Sequence, residues 1–231
     1  MHSSTGPVPS RLGGTRRGLL RAVRDALGGA TVSRPNPPLV DETLVRLATR
    51  EDDLYTRFAS GAEAVGMKVL RCEESEWESQ LGRLLADHAA GRGVIGFSDG
   101  TDADRVQAVF QRQKVEAVAW KDAGGVDAQF DVGVAVTDVH AALAETGTLV
   151  CCSDSDHGRC LSLVPPVHVA LVRHHDMLPD MVDFWCRCGE ASTLPSSISF
   201  ITGPSKTADI EGILITGVHG PGEVHILLID D

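Results

Sequence analysis

Strand-like and helix-like patterns alternate along most of this chain. Apolar runs of five or six residues at 93–97, 132–137 and 167–172 are separated by longer stretches, such as 75–90 and 102–111, that show helical periodicity. Strands that alternate with helices of this length are typical of βαβ units. The pattern therefore predicts an α/β fold, in which a mainly parallel sheet carries helices on both faces.

Other segments carry weaker versions of the same patterns. Further helices are predicted at 41–65, 177–186 and 208–215, a helical turn at 139–143, and strands at 67–70, 115–120, 148–152, 198–202 and 224–229. His168 and His225 lie inside two of the apolar strands and are predicted to be core histidines with hydrogen-bonded ring nitrogens.

The composition indicates an aliphatic core and excludes some partners. Apolar residues make up 42% of the chain and aromatic residues only 4%, so Val, Leu, Ile and Ala must fill the interior. Such residues suit parallel strands that are buried on both faces. The net charge of −11 argues against nucleic acid or an anionic membrane as the main partner. No apolar run approaches the roughly 18 residues that a membrane-spanning helix needs.

The cysteines do not follow a metal-binding or disulfide pattern. Six cysteines in 231 residues are too few for a disulfide framework, and no Cys-x-x-Cys pair occurs. Cys151 and Cys152 are neighbours on a predicted strand, so they point to opposite faces and do not readily share an ion. The first residues also lack the continuous apolar segment of a secretory signal. We therefore expect a cytoplasmic protein with reduced thiols and no metal site.

The first 38 residues differ in composition from the rest. Residues 1 to about 13 are rich in Ser, Gly and Pro and are predicted to be disordered. A basic helix with an apolar stripe follows and stops at Gly28-Gly29, and a proline-rich linker at 31–38 leads to an α/β domain at 39–231. The basic helix is either a solvated peripheral element or a docking element for an acidic partner.

Two glycine-containing loops near the end of the chain are candidate binding elements. The first follows a predicted strand and precedes the helix predicted at 208–215, whose free N–H groups would suit an anion. The candidate residues in these loops are Gly203, Pro204, Ser205, Lys206, Thr207, Asp209, Gly217 and Gly220. The alternative is a tight turn with a Ser or Thr cap. His219, in the second loop, is either a proton-transfer group or a hydrogen-bonded turn residue.

Two upstream segments add further candidates. Glu145-Thr146-Gly147-Thr148 places a carboxylate and two hydroxyls beside a glycine that allows close backbone approach, or else it forms a surface turn. Arg159 and Ser162 precede Pro165-Pro166, and an arginine here either grips a carboxylate or phosphate or pairs with a nearby aspartate.

These four segments, in this order, resemble the LUD domain family and, within it, the lactate utilization protein C group. The resemblance covers roughly residues 40 to 231 and rests on Glu145–Thr148, Arg159–His168, Thr202–Glu211 and Gly217–Pro221. It implies the three-layer fold shared by ribose-5-phosphate isomerases and CoA transferases. In that fold a glutamate can act as a nucleophile, and Glu145 is the candidate here; an acid–base or substrate-orienting role is equally compatible.

The resemblance also implies a function. It predicts a subunit or accessory protein of an iron–sulfur-dependent system that oxidises L-lactate to pyruvate, with a small carboxylate or phosphate ligand. The iron–sulfur clusters are expected on partner subunits, because this chain carries no cofactor motif of its own. Two alternatives remain open at this point: a stand-alone isomerase or transferase that uses Glu145, and a non-catalytic sensor of a small acid.

Overall fold

The computed structural model describes residues 15–27, 41, 46–88, 91–98, 100–122, 130–190, 194–208 and 214–230. The chain divides into two compact units, 1–42 and 43–231. In the first unit, helix α1 (Arg16–Ala26) begins after Thr15, whose hydroxyl accepts a hydrogen bond from the Gly18 N–H at 3.2 Å. None of its side chains is buried. The predicted disordered segment and proline-rich linker lie outside the described residues.

The second unit contains the predicted alternation of strands and helices. In chain order its elements are α2 (Leu54–Ala64), β1 (Lys68–Glu73), α3 (Trp77–His88), β2 (Arg92–Gly96), α4 (Gly100–Arg112), β3 (Glu116–Ala119), β4 (Val134–Thr137), β5 (Ala141–Leu143), β6 (Thr148–Cys152), β7 (Val167–Val172), β8 (Met177–Leu178), α5 (Met181–Glu190), β9 (Ile198–Ile201), β10 (Lys206–Ala208), β11 (Leu214–Thr216) and β12 (Glu223–Asp230). Among the described helices, none combines the length and apolar character that crossing a bilayer requires.

A six-stranded sheet forms the centre of this unit. Its strand order is β1-β12-β7-β4-β2-β3, and every neighbouring pair is parallel. The chain leaves β2 toward β3 on one side and leaves β4 toward β7 on the other. This divergence opens a crevice between the carboxyl ends of β2 and β4, which is where open parallel sheets bind ligands.

Helices α3 and α4 cover one face of the sheet. Because side chains alternate along a strand, Val167, Val169 and Leu171 of β7 point into this core, where Trp77 of α3 and Phe110 of α4 are fully buried. The predicted apolar stripes of α3 and α4 therefore pack on this face of the sheet, and together they form the larger of the two main core clusters.

The opposite face is covered by α2 together with a second sheet. This sheet has the order β8-β5-β6-β9, with antiparallel pairing on both sides of β6. Phe58 of α2 and Leu149 of β6 pack with Ala170 and Ile226 of the large sheet in one cluster. Helices thus lie on both faces, as predicted, but the second sheet was not predicted.

Four predicted elements are wrong or misplaced. The helical turn at 139–143 is strand β5, which pairs with β6 on one side and with β8 on the other. Helix α2 begins at Leu54, because Asp53 caps it by accepting the Thr56 N–H at 3.1 Å. The helix predicted from 177 begins at 181 instead, since Pro179 disfavours helical backbone at the residue before it.

The fourth difference concerns the helix predicted at 208–215. Its two described ends are strands β10 and β11, which pair antiparallel with Thr207 opposite Ile215. β-Branched residues of this kind pack well in paired strands, and the pairing supplies their backbone hydrogen bonds. Residues 209–213, including Asp209, lie outside the described residues.

Candidate functional site

The turn at Glu145–Thr148 joins β5 to β6 and packs against helix α2. Gly147 has φ of +65°, and a Cβ placed on it would lie 2.0 Å from the Ala62 nitrogen. The Glu145 N–H donates to the Pro179 carbonyl at 2.9 Å. The glycine of this turn therefore allows a helix, rather than a ligand, to approach the backbone closely.

The hydroxyl groups of the same turn bond to one another. Thr146 Oγ1 and Thr148 Oγ1 are 2.6 Å apart, and Thr148 Oγ1 lies 2.7 Å from Thr202 Oγ1. This chain of hydroxyls links β6 to the end of β9. The nucleophile, acid–base and orienting roles proposed for the half-buried Glu145 stay predictions.

The loop at Gly203–Thr207 docks on the carboxyl-terminal end of α2. Gly203 has φ of +102°, and a Cβ there would lie 2.9 Å from the Val65 carbonyl oxygen. Lys206 Nζ donates to that same oxygen at 2.8 Å. The loop continues into strand β10, so the described residues contain no helix N-terminus behind Gly203 to attract an anion. The geometric basis of the predicted anion site is therefore wrong.

The second glycine loop completes this packing arrangement. The Ser205 N–H donates to the Pro221 carbonyl at 2.8 Å, and the Gly217 N–H donates to the Ser205 carbonyl at 2.9 Å. A Cβ on Gly220 would lie 3.2 Å from the Ser205 Cβ. His219 is exposed at the tip of the loop. The two glycine loops thus hold each other against α2.

We expect Lys206→Met to leave ligand binding unchanged and to lower the free energy of unfolding by less than about 1 kcal/mol, because an exposed cation at a helix C-terminus contributes only this much. Urea unfolding and titration of the purified chain with L-lactate would check both values. Arg83→Gln, which removes another exposed cation, is the matched control. A selective loss of binding in the Lys206 variant would restore the glycine loop as the site.

Arg159 and Ser162 occupy a different place, at the carboxyl edge of the large sheet. They line a small cavity together with Thr137, Asp138 and His157. The free space inside it is about 10 Å³, which is room for one water-sized group. The cavity lies at the end of β4, beside the crevice where the chain changes direction.

His157 is clamped between two carboxylates at this cavity. Its Nε2 makes a short hydrogen bond to Asp138 Oδ1, and its Nδ1 lies 3.0 Å from Asp154 Oδ1. Burial alone would lower the pKa of His157, but the Asp138 and Asp154 carboxylates raise it above its ordinary value. Both ring nitrogens therefore face carboxylate oxygens, which can only accept hydrogen bonds, and this geometry favours the doubly protonated ring.

Local backbone geometry sets the position of Asp154. Its Oδ1 accepts the N–H groups of Asp156 at 2.7 Å and His157 at 2.8 Å, which is an Asx turn. Burial alone would raise the pKa of Asp154, but these N–H groups and the His157 ring lower it to about 2. The Ser98 N–H holds Asp138 in the same way at 2.9 Å, from the end of β2.

His140, Asp154 and His157 also form one of the groups that has the spacing of a metal site, with ligand atoms within 4.8 Å of one another. However, the Cys152 N–H donates to His140 Nδ1 at 3.2 Å, which leaves the ring proton on Nε2. His140 Nε2 lies 3.2 Å from Asp154 Oδ2 and donates to it. A nitrogen that holds a proton has no lone pair for a metal, so this network is a hydrogen-bonded chain.

A similar group at the opposite edge of the sheet is also poorly suited to a metal. His88, Glu223 and His225 meet there, but Lys68 Nζ already lies 2.5 Å from Glu223 Oε2. An ammonium group in this position repels a second cation. His225 is buried as predicted, yet within the described residues its Nε2 has a partner and its Nδ1 has none.

The cysteines of the described chain do not converge on one point. No cysteine belongs to either group of possible metal ligands among the described residues. Cys151 lines the small cavity, and burial raises its pKa to about 12, so it is a thiol rather than a thiolate. An iron–sulfur cluster needs several thiolates aimed at one centre, and these residues do not fit that requirement.

His168 lies beneath the cavity and was predicted to have both nitrogens bonded. Its Nε2 lies 3.0 Å from Thr137 Oγ1, but its Nδ1 has no partner within the described chain. The side chain is fully buried, and burial lowers its pKa to about 4, so the ring is neutral. One prediction about this residue, its burial, is confirmed, and the other is wrong.

The arginines at this edge differ in whether their guanidinium groups already pair with carboxylates. Arg173 binds Asp102 through two nitrogens at 2.9 and 3.2 Å and also bonds to Glu74. Arg105 bonds to Glu74 as well. In contrast, Arg159 is exposed and has no ion-pair partner among the described residues, so the predicted pairing with an aspartate is wrong.

Sequence reasoning therefore found two residues of this cavity and missed the others. Asp138 follows directly after the buried strand β4, and the rule that ligands lie beyond the carboxyl ends of parallel strands would have identified it. His157 lies 19 residues further on, in an irregular segment whose pattern gives no signal. Its place depends on how that segment folds back over the strand ends.

Known proteins resemble this chain in sequence and in fold. A family profile described as the LUD domain matches residues 55–229. A lactate utilization protein C from Halalkalibacterium halodurans is 29% identical over 230 residues, which cover 94% of this chain and 98% of that protein. Another from Bacillus subtilis is 38% identical over 107 residues, which cover 45% of this chain and 44% of that protein.

A solved structure shows the same fold. The crystal structure of a DUF162 family protein from Deinococcus radiodurans superposes with a TM-score of 0.53 at 18% identity, and the match covers 77% of this chain and 96% of that chain. At this identity the likeness shows the arrangement of strands and helices alone.

Proposed function

Because the chain belongs to the LUD domain family, we propose that it takes part in lactate utilization, as a subunit or accessory protein of a system that oxidises L-lactate to pyruvate. The observation that carries this proposal is the match to a lactate utilization protein C over 94% of this chain and 98% of that relative. A match of that extent aligns nearly all of both chains, rather than one domain that unrelated proteins share.

The electrons of this oxidation go, in our proposal, to iron–sulfur clusters on partner subunits. Conversion of L-lactate to pyruvate releases two electrons and two protons, so an electron acceptor is required. The described cysteines of this chain do not converge in the way that a cluster requires. The proposal therefore gives this chain a role in binding and places the redox groups on its partners.

The ligand of this chain is proposed to be a small carboxylate. Arg159 supports this, because it lines the small cavity and has no ion-pair partner among the described residues, and guanidinium groups bind carboxylates through two hydrogen bonds. The phosphate alternative had its support in a helix N-terminus behind Gly203, and the strand found there removes that support.

The proposal predicts that lactate-dependent electron transfer requires this chain. We would measure reduction of an artificial electron acceptor by L-lactate in extracts that lack the chain, before and after the pure protein is added. We expect activity to return with the added wild-type chain and with Arg83→Gln, a surface control. If the rate is the same without the chain, the lactate assignment fails. If the isolated chain alone transforms a substrate, the accessory role fails.

A further inference from the structure

The small cavity at the carboxyl edge has the size of a site for one oxygen atom, and several polar residues are among those that line it. Its free space of about 10 Å³ holds one water-sized group and is too small for a whole three-carbon acid. Its lining includes Thr137, Ser162 and the hydrogen-bonded pair Asp138 and His157. A ligand that uses this cavity must therefore insert a single polar atom and keep the rest of its structure at the mouth.

Thr137, which lines the cavity, has a hydroxyl whose only hydrogen-bond partner among the described residues is His168. Neutral His168 has one ring proton, and its Nδ1 has no partner in the described chain. An unpaired buried N–H is rarer in proteins than an unpaired acceptor, so the proton belongs on Nε2 and is donated to Thr137 Oγ1. Thr137 Oγ1 accepts this hydrogen bond with one lone pair, so its O–H remains available to donate to a ligand oxygen.

Asp138 and Arg159 supply the other two contacts that a 2-oxygenated acid needs. A 2-hydroxyl group can donate to the Asp138 carboxylate, whereas a 2-oxo group accepts from Thr137. Arg159 lines the same cavity, is exposed to solvent and has no ion-pair partner in the part of the chain that the structure describes. It is therefore placed to hold the carboxylate of a ligand whose neighbouring oxygen enters the cavity.

We propose that this cavity, rather than the glycine loops, is the carboxylate site of the protein, and that it recognises small 2-hydroxy and 2-oxo monocarboxylates. Arg159 holds the carboxylate, the 2-oxygen enters between Thr137 and Asp138, and the carbon chain stays outside. His168 is a positioning residue that acts through Thr137. This inference rests on the proposed function, because that function supplies the ligand class.

The test is a calorimetric titration of the full chain with four acids: L-lactate, pyruvate, propionate and 2-hydroxybutyrate. Propionate has the carboxylate but lacks the 2-oxygen, so we expect it to bind about tenfold more weakly than lactate. 2-Hydroxybutyrate has one more carbon in the part that stays outside, so we expect it to bind within about threefold of lactate. Equal affinities for lactate and propionate, or no binding of any acid, would overturn the proposal.

Single substitutions test each proposed contact separately. Arg159→Gln is expected to weaken all four acids by about tenfold or more, while Arg83→Gln leaves them unchanged. Thr137→Val should bring the affinity for lactate close to that for propionate, and Thr137→Ser, which keeps the hydroxyl, should preserve the difference. His168→Phe should reduce the lactate-to-propionate ratio without changing the affinity for propionate. A merely structural role for His168 would lower both affinities together.

The outcomes distinguish this inference from the proposed function. If added chain restores lactate-dependent electron transfer but the isolated chain does not prefer lactate to propionate, the cavity is not the site and the pathway role stands. If the preference is present but electron transfer does not depend on the chain, the site stands and the pathway role fails.

Discussion

Replacement of Gly147 by alanine is expected to lower the free energy of unfolding by about 2 to 5 kcal/mol. A Cβ at this position would lie 2.0 Å from the Ala62 nitrogen and 2.4 Å from the Gly61 carbonyl carbon, and backbone atoms of a helix cannot move aside separately. The left-handed φ of +65° adds about 1–2 kcal/mol for any residue with a Cβ, and overpacking adds about 1–3 kcal/mol. Urea unfolding followed by circular dichroism measures the loss.

Three other glycines serve as controls for this substitution. Gly91 has φ of +82°, and no atom of the described residues lies within 4 Å of a built Cβ, so Gly91→Ala isolates the backbone strain alone. Gly189 lies in α5 with open space around it, and Gly189→Ala should stabilise the protein by roughly 0.5–1 kcal/mol. If Gly147→Ala does not accumulate as folded protein, Gly61→Ala, whose Cβ meets Gly147 at 2.9 Å, should show a smaller loss.

This result decides between two interpretations of the Glu145–Thr148 turn. A glycine that is needed for helix packing lowers stability when it is replaced, whereas a glycine that is needed only for ligand approach lowers binding and leaves stability nearly unchanged. A Gly147→Ala protein as stable as Gly91→Ala that fails to bind lactate would show that the packing interpretation is wrong.

Acidification from pH 6.5 to pH 4 is expected to remove about 3 kcal/mol of stability through His168 alone. The folded-state pKa of this buried ring is about 4, against an ordinary value of 6.5. Above pH 6.5 the ring is neutral in both states and costs nothing. As the pH falls below 6.5 the unfolded state takes up a proton that the folded state refuses, so stability declines until about pH 4. Denaturant unfolding across this range gives the slope.

The His168→Gln variant isolates this contribution, because glutamine does not titrate and its amide can still donate to Thr137. We expect the variant's stability to fall less than that of the wild type between pH 6.5 and pH 4, by about 3 kcal/mol. Asp154 and Glu74 have pKa values near 2, so their loss of stability lies at lower pH. Identical pH profiles for the two proteins would mean that His168 is not neutral and buried in solution.

His157 should show the opposite dependence and therefore serves as an internal comparison. Its pKa is raised by Asp138 and Asp154, so its stabilising effect is complete below pH 6.5 and is lost as the pH rises through the folded-state pKa. His157→Gln should accordingly flatten the profile on the alkaline side of pH 6.5, where His168→Gln has no effect. The two histidines near this cavity thus change stability with pH in opposite directions, because His157 is paired with carboxylates and His168 is not.

The alternation of strands and helices could be predicted because each element shows its pattern within its own stretch of sequence. Each strand of the large sheet is buried on both faces, so it appears as a short continuous apolar run such as 167–172. Each covering helix has one buried side, and residues such as Leu81 and Leu85 recur at helical spacing. These patterns can be recognised without knowing which elements pack against each other.

Predictions failed where a segment takes its structure from a distant partner. Ala141–Leu143 is too short to show a period, and it is a strand because β6 pairs with it. The segment that starts at Lys206 is likewise a strand because Thr207 pairs with Ile215 of β11. A glycine that admits a helix and a glycine that admits an anion leave the same mark in the sequence, so the sequence alone could not distinguish these two roles for the glycine loops.

The sequence by itself determined the fold class, the two-sided burial of the large sheet and the family, because all three depend on residue order along single elements. Only the tertiary structure decided where the candidate site lies. Asp138, His157 and Arg159 come from the end of a strand and an irregular segment that no period describes. They meet because the carboxyl ends of parallel strands share one edge, and pKa values and hydrogen-bond roles depend on distance and burial rather than on position in the chain.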